Sequence, residues 1–140
     1  MKLRLFWLAL TLIISSKVQA EEFSLAIHVA GVKNNQGAIF VELYNDPKTF
    51  RKSSQALAVQ TIPAQAGIVT VDFKGLNLGH YAVLAYHDED GNGQLNKRFG
   101  MIPTEGYALS NDPSVIGPPS FEDSDFEVLG DSELRINMHY

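Results

Sequence analysis

Hydrophobic and polar residues alternate along much of this chain, and a period of two predicts β-strands. Apolar side chains alternate with small or polar ones from Phe23 to Val29, which is typical of a half-buried strand. The alternation returns over residues 38–44, 57–61 and 69–73, with turn-forming residues between the runs. Residues 81–85 are almost wholly apolar. Because a strand covered on both faces needs such a run, we expect this strand to lie centrally in its sheet.

The pattern as a whole predicts an all-β fold. A last strand is expected near Leu134 to Met138 and a short helical turn near residues 49–52, but no stretch after residue 20 shows a sustained helical period. About seven short strands favour a single antiparallel β-sandwich, immunoglobulin-like or prealbumin-like. Residues 99–127 are too long for a passive connection, so we expect one long ordered loop region pinned by Tyr107 and Phe121.

The N-terminus has the pattern of a secretory signal peptide. Lys2 and Arg4 precede a run of ten apolar or weakly polar residues, and Val18-Gln19-Ala20 offers a small-residue cleavage site. A transmembrane anchor needs about 20 apolar residues, so the shorter run favours cleavage. We therefore predict a signal peptide at residues 1–20 and a single β-sandwich domain at residues 21–140, in the periplasm or secreted.

The composition narrows the possible partners and chemistry. The net charge is −5, and the stretch from Asp88 to Glu133 contains eleven acidic residues against Lys97 and Arg98. Such a surface repels nucleic acid and attracts cations, although a solvated acidic face that aids solubility is the alternative. The absence of cysteine excludes disulfides and thiol catalysis. We expect a monomer without a membrane span after signal removal, whose partner is an unidentified ligand or envelope component.

A short acidic loop carries the clearest candidate chemistry. Calcium prefers several oxygen ligands, and alternate short polar side chains on a turning backbone can point at one ion. The candidate metal ligands are Asp88, Asp90, Asn92, Gln94 and Asn96, with Gln94 offering its backbone carbonyl and the others their side chains. Their spacing follows the twelve-residue calcium loop. Phe99 stands where that loop has its bidentate Glu, and a strand rather than a helix precedes it, so this is not an EF-hand. The alternative is a plain β-turn, because Asp-Gly and Asn-Gly are strong hairpin signals.

The carboxylate that this loop lacks at the position of Phe99 could come from a residue farther along the chain. The candidates are Glu105, Glu122, Asp123 and Asp125. A second function class remains open, a periplasmic hydrolase that uses His87 with Asp88, Glu105 or Glu122; this requires the side chains to converge on one cleft.

Four blocks in one order carry a resemblance to a known family. They are His87–Leu95, Gly100–Tyr107, Ser110-Asn111 and Pro118–Asp123. The mature chain resembles the exported bacterial family known as domain of unknown function twenty-one forty-one. The resemblance implies an envelope or secreted location and a β-sandwich, and it implies no activity. An Asp is common in that family where Asn96 stands here, which implies that Asn96 is a weaker ligand.

Overall fold

The computed structural model describes Lys17 and residues 19–140, and the strands begin at Phe23. Most of the predicted signal peptide, residues 1–16 and Val18, lies outside the described residues, so its prediction stays a prediction. Within the described part of the chain, no helix is long and apolar enough to cross a membrane.

One sheet joins the first and last strands of the chain. Its strands are β1 (Phe23–Val32), β4 (Gly67–Leu76) and β10 (Ser132–Asn137), in the order β10-β1-β4. Strand β1 pairs antiparallel with β4, with Ile27 opposite Val71. It pairs parallel with β10, with Ile27 opposite Leu134, so this pair departs from the purely antiparallel expectation. A parallel pair requires a long connection between its strands, and here almost the whole domain separates them.

The second sheet carries the candidate site. Its strands are β2 (Ala38–Tyr44), β3 (Ala58–Pro63), β5 (Gly79–Asp88), β8 (Tyr107–Leu109) and β9 (Phe126–Val128). The order is β3-β2-β5-β8, and β9 pairs with the beginning of β5. Strand β5 therefore lies in the centre of the sheet, and the prediction from its apolar run is confirmed.

The inner faces of the two sheets share one core. Alternate residues of β1, β2 and β5 point into it, among them Ile27, Val41 and Val83, each fully buried. The all-β, sandwich-like fold predicted from the alternation is thus confirmed. Each fully buried Val, Leu or Ile contributes about 1.5–3 kcal/mol relative to exposure, so this core stabilises a chain that has no disulfide.

The outer face of the second sheet is covered by a smaller apolar cluster. Tyr44 and Leu84 from the sheet pack with Phe50 and Phe121, and the ring of Phe50 meets both Tyr44 and Phe121 edge-on. Tyr107 packs against this cluster. The expectation that Tyr107 and Phe121 pin the long loop region to the body is therefore confirmed.

The long loop region contains more regular structure than its sequence predicts. Residues 97–128, which include this region, contain the short strands β6 (Lys97–Arg98), β7 (Ile102–Pro103), β8 and β9, and the one-turn helix α1 (Phe121–Ser124). The described residues thus form ten strands where about seven were predicted. The helical turn expected near residues 49–52 is a series of hydrogen-bonded turns, and a short 3₁₀ helix, Ser53–Gln55, follows it.

Candidate metal centre

The candidate centre begins where β5 ends. His87 and Asp88 are the last two residues of this buried strand, and Asp88 is only 3 % exposed. Asp88 pairs with Ala38 at the start of β2. The preceding residue, Gly37, has φ +67°, and a Cβ built on it would lie 1.8 Å from the Asp88 carbonyl oxygen. The two backbones can approach this closely only because residue 37 has no side chain.

The loop after Asp88 folds around the Asp88 carboxylate. Its Oδ1 accepts a hydrogen bond from the Asn92 backbone N–H at 3.1 Å, and its Oδ2 accepts one from the Gly93 N–H at 2.8 Å. Asp90 Oδ1 accepts a second bond from the Asn92 N–H at 3.1 Å. Short acidic side chains commonly bind the backbone ahead of them in this way, and the result is a tight turn.

Glu105 reaches the same loop from a separate segment. Strand β8 pairs with β5, with Tyr107 opposite Tyr86, and the His87 N–H donates to the Gly106 carbonyl at 2.8 Å. This pairing places Glu105 beside the end of β5. Its Oε1 accepts from the Glu89 N–H and its Oε2 from the Asn96 N–H, each at 3.1 Å.

The carboxylates of Asp88, Asp90 and Glu105 converge. One oxygen of each lies within 4.8 Å of an oxygen of the other two. Two ligands on one calcium ion are at most about 5 Å apart, because each lies roughly 2.3–2.6 Å from the ion. The three carboxylates, called the Asp88 cluster below, are therefore spaced as ligands of one calcium ion would be.

The other three predicted ligands surround the Asp88 cluster without adding carboxylates. The side-chain amide of Asn96 donates to Asp90 Oδ2 at 2.7 Å, and that of Asn92 donates to the same oxygen at 3.3 Å. Gln94 is exposed, and its backbone N–H donates to Asn92 Oδ1. In this arrangement Asn92 and Asn96 orient Asp90, and their amides would have to rotate to offer oxygens to an ion.

Of the four distant carboxylates, only Glu105 joins the Asp88 cluster. Asp123 forms a capping box with Ser120 at the start of α1, and Asp125 contacts the His80 ring at 3.0 Å. Glu122 lies exposed on the same short helix. The sequence could not single out Glu105, because the pairing of β8 with β5 decides which carboxylate arrives.

The comparison with protein families agrees with the motif blocks. Residues 27–137 match the family described as uncharacterised protein conserved in bacteria, DUF2141. The chain belongs to the DUF2141 family. The matched stretch contains both segments of the Asp88 cluster. Neither the curated proteins nor the solved structures contain a significant match to the chain.

In this DUF2141 chain, His87 is a buried residue whose ring nitrogens both form hydrogen bonds within the fold. Its ring is fully buried, with Nε2 2.6 Å from the Gln36 carbonyl oxygen and Nδ1 2.8 Å from the Tyr140 hydroxyl. The carbonyl can only accept, so Nε2 carries a proton; in the neutral ring Nδ1 then accepts from Tyr140. The Tyr140 oxygen in turn accepts from the Lys33 N–H at 2.9 Å. Both ring nitrogens therefore have hydrogen-bond partners within the fold, and the nearest carboxylate, that of Glu89, lies 3.9 Å from Nδ1.

The Asp88 cluster of the DUF2141 domain has no basic counter-charge. Within residues 19–140, no Lys or Arg forms an ion pair with any of its three carboxylates. The side-chain amide of Asn96, with the Asn92 backbone N–H, holds the pKa of Asp90 below its usual range. Asp90 is therefore ionised at neutral pH, and negative charge accumulates where no protein cation balances it.

Proposed function

We propose that this protein is an exported, non-enzymatic binding or accessory domain whose Asp88 cluster holds a calcium ion. The convergence of Asp88, Asp90 and Glu105 from two separate segments, without a basic partner, carries the proposal. Like charges repel at this range, and an ion in their midst converts the repulsion into attraction. The N-terminal secretory pattern supports an address where calcium is available to such a site.

A bound ion would tie two parts of the domain together. Glu105 follows the hairpin of β6 and β7, and Asn96 precedes it; the Thr104 N–H donates to the Asn96 carbonyl at 2.8 Å. Calcium at the Asp88 cluster would therefore fix the base of this hairpin to the end of β5. The ion acts in this proposal as a structural ligand that orders a binding surface.

The proposal is tested by titrating the purified protein with calcium in a calorimeter and by thermal unfolding. Calcium sites of extracellular modules have Kd of about 10⁻⁴–10⁻³ M. At roughly 10 mM calcium such a site stabilises the fold by about 1.4–2.7 kcal/mol. For a domain of this size we expect the melting temperature to rise by roughly 5–10 °C.

Three variants separate a calcium site from a plain turn. Asp88→Asn and Glu105→Gln each remove one charge from the Asp88 cluster, and we expect both to abolish the calcium-induced rise. Glu122→Gln makes the same change in net charge on an exposed residue outside the cluster, and its calcium response should equal that of the native protein. If the native protein melts at the same temperature in calcium and in chelator, the calcium site is rejected and the loop is a plain β-turn.

A further inference from the structure

A second feature of the molecule lies on the outer face of the β5–β8 sheet. A cleft of about 370 Å³ opens there, with Leu84 of β5 and Leu109 of β8 among the residues that line it. These two residues are register partners and belong to the outer apolar cluster. The hairpin of β6 and β7 lines it as well, together with residues 117–119. We call this space the outer pocket.

The wall of the outer pocket is apolar and contains no carboxylate. Nine of its thirteen lining residues are apolar or aromatic, two are glycine, and the remaining two are Arg51 and Lys97. The absence of acid is informative, because the stretch from Asp88 to Glu133 supplies much of this wall and contains eleven acidic residues. Met101 and Ile102 line the pocket while 67 % and 56 % exposed. An occupant could cover this apolar area, and its removal from water would favour binding.

The charged groups of the outer pocket are both cations. Arg51 and Lys97 are exposed, and within residues 19–140 neither forms an ion pair with a carboxylate. Arg51 also has φ +64°, a left-handed conformation that is unfavourable for a side-chain-bearing residue. Strained residues cluster at ligand-binding and active sites, and this one presents an unpaired cation beside an apolar cavity.

We propose that the outer pocket binds a small amphipathic anion, an alkyl carboxylate with one short apolar chain. The chain would lie against Leu84, Met101 and Leu109, and the carboxylate would face Arg51 or Lys97. Small-ligand pockets are mostly apolar with a few polar groups that fix orientation, and their volumes start at about 300 Å³. The volume here therefore suits one short chain. This site is separate from the Asp88 cluster and goes beyond the function proposed for it.

The test compares three probes that share a ten-carbon chain and differ in their head group. Decanoate, decanol and decyltrimethylammonium are each titrated below the concentration at which they form micelles, by calorimetry and by nuclear magnetic resonance of the side-chain methyl groups. We expect decanoate to bind with one-to-one stoichiometry and to shift the methyl signals of Leu84, Met101 and Leu109. Decyltrimethylammonium should bind at least tenfold more weakly. All titrations are carried out in excess chelator and repeated in calcium, so that loss of the proposed calcium site leaves this result readable.

Matched variants locate the site. Arg51→Gln and Lys97→Gln should each weaken decanoate binding about twofold to fivefold, the range expected for an exposed ion pair, and Arg98→Gln should leave it unchanged. Met101→Glu places a like charge in the apolar wall and should weaken binding at least tenfold. Leu129→Glu makes the same change at an exposed residue outside the pocket and serves as its control. These side chains are exposed, so the fold is expected to persist, and circular dichroism verifies this.

Three outcomes would overturn the proposal. They are the absence of decanoate binding, equal affinity for the cationic probe, and binding that Met101→Glu leaves intact. Sedimentation with phosphatidylglycerol vesicles is measured in parallel. If the protein binds vesicles but does not bind monomeric decanoate, the exposed apolar residues form a membrane-binding surface. That result would overturn the small-ligand site.

Discussion

Replacing Gly37 with alanine should damage the fold and the candidate metal centre together. The new Cβ would lie 1.8 Å from the Asp88 carbonyl oxygen, 2.9 Å from its carbonyl carbon and 3.1 Å from the Glu89 Cα. All three atoms are backbone, so no side-chain rotation relieves the contact. The start of β2 must move away from the end of β5. The movement disturbs the pairing of Ala38 with Asp88 and the hydrogen bond from the Ala64 N–H to the Gly37 carbonyl.

The magnitude follows from two costs. Holding an alanine at φ +67° costs about 1–2 kcal/mol. Loss of one or two backbone hydrogen bonds adds about 0.5–1.5 kcal/mol for each. We therefore expect Gly37→Ala to lower the free energy of unfolding by about 1.5–5 kcal/mol. Gly100 provides the control, because it has φ +68° and no atom within 4 Å of its ideal Cβ. Gly100→Ala should incur only the conformational cost of about 1–2 kcal/mol.

Urea unfolding of both variants, followed by circular dichroism, measures the difference between them. If the two lose the same free energy of unfolding within about 0.5 kcal/mol, the backbone contact with Asp88 contributes nothing and the reasoning is refuted. A calcium titration of folded Gly37→Ala adds a second readout. Because Asp88 must shift, its calcium response should be weaker than that of Gly100→Ala.

Three further changes have defined outcomes. Tyr140→Phe removes the hydroxyl that bonds His87 and should lower the free energy of unfolding by about 1–3 kcal/mol in urea; no loss would contradict a structural role for that bond. Burial raises the pKa of Tyr86 to about 12, so the folded state favours its neutral form. Its contribution to stability is present below the unfolded pKa of about 10 and is lost as the pH rises to about 12. An ultraviolet pH titration should show one tyrosine, absent in Tyr86→Phe, ionising near that upper value; ionisation at the ordinary pKa would be the contrary result. Ser120→Ala removes the N-cap of α1 and should cost about 1 kcal/mol in thermal unfolding, whereas the exposed control Ser114→Ala should change little.

The longer strands could be predicted because each buries one face against a core. The alternation over residues 38–44 gave the bounds of β2, and the apolar run that starts at Tyr81 gave the central position of β5. Strands β6 and β7 have two residues each, which is too short for any period to show. The parallel partnership of β1 with β10 depends on which strand lies nearest after collapse, and alternation carries no information about direction.

Only the loop that begins at Asp88 could be predicted from the sequence as part of the candidate site. The spacing of Asp88, Asp90 and Asn92 located the loop, because local spacing determines which side chains can meet on a turn. The arrival of Glu105 depends on the pairing of β8 with β5, and the need for glycine at position 37 depends on the pairing of β2 with β5. Asn96 was predicted as a ligand, yet the structure places its side-chain amide as a donor to Asp90.

The parallel pairing of β1 with β10 has a consequence for how the chain folds during synthesis. The backbone N–H of Ser24 bonds the Asp131 side chain, and that of Lys33 bonds the Tyr140 hydroxyl, each across 107 residues. These contacts cannot form until residues 131–140 have been synthesised. Contacts so distant in sequence slow folding, because a large loop must close before any of them forms. The first sheet therefore stays incomplete until β10 has been synthesised, although β1 and β4 are made much earlier.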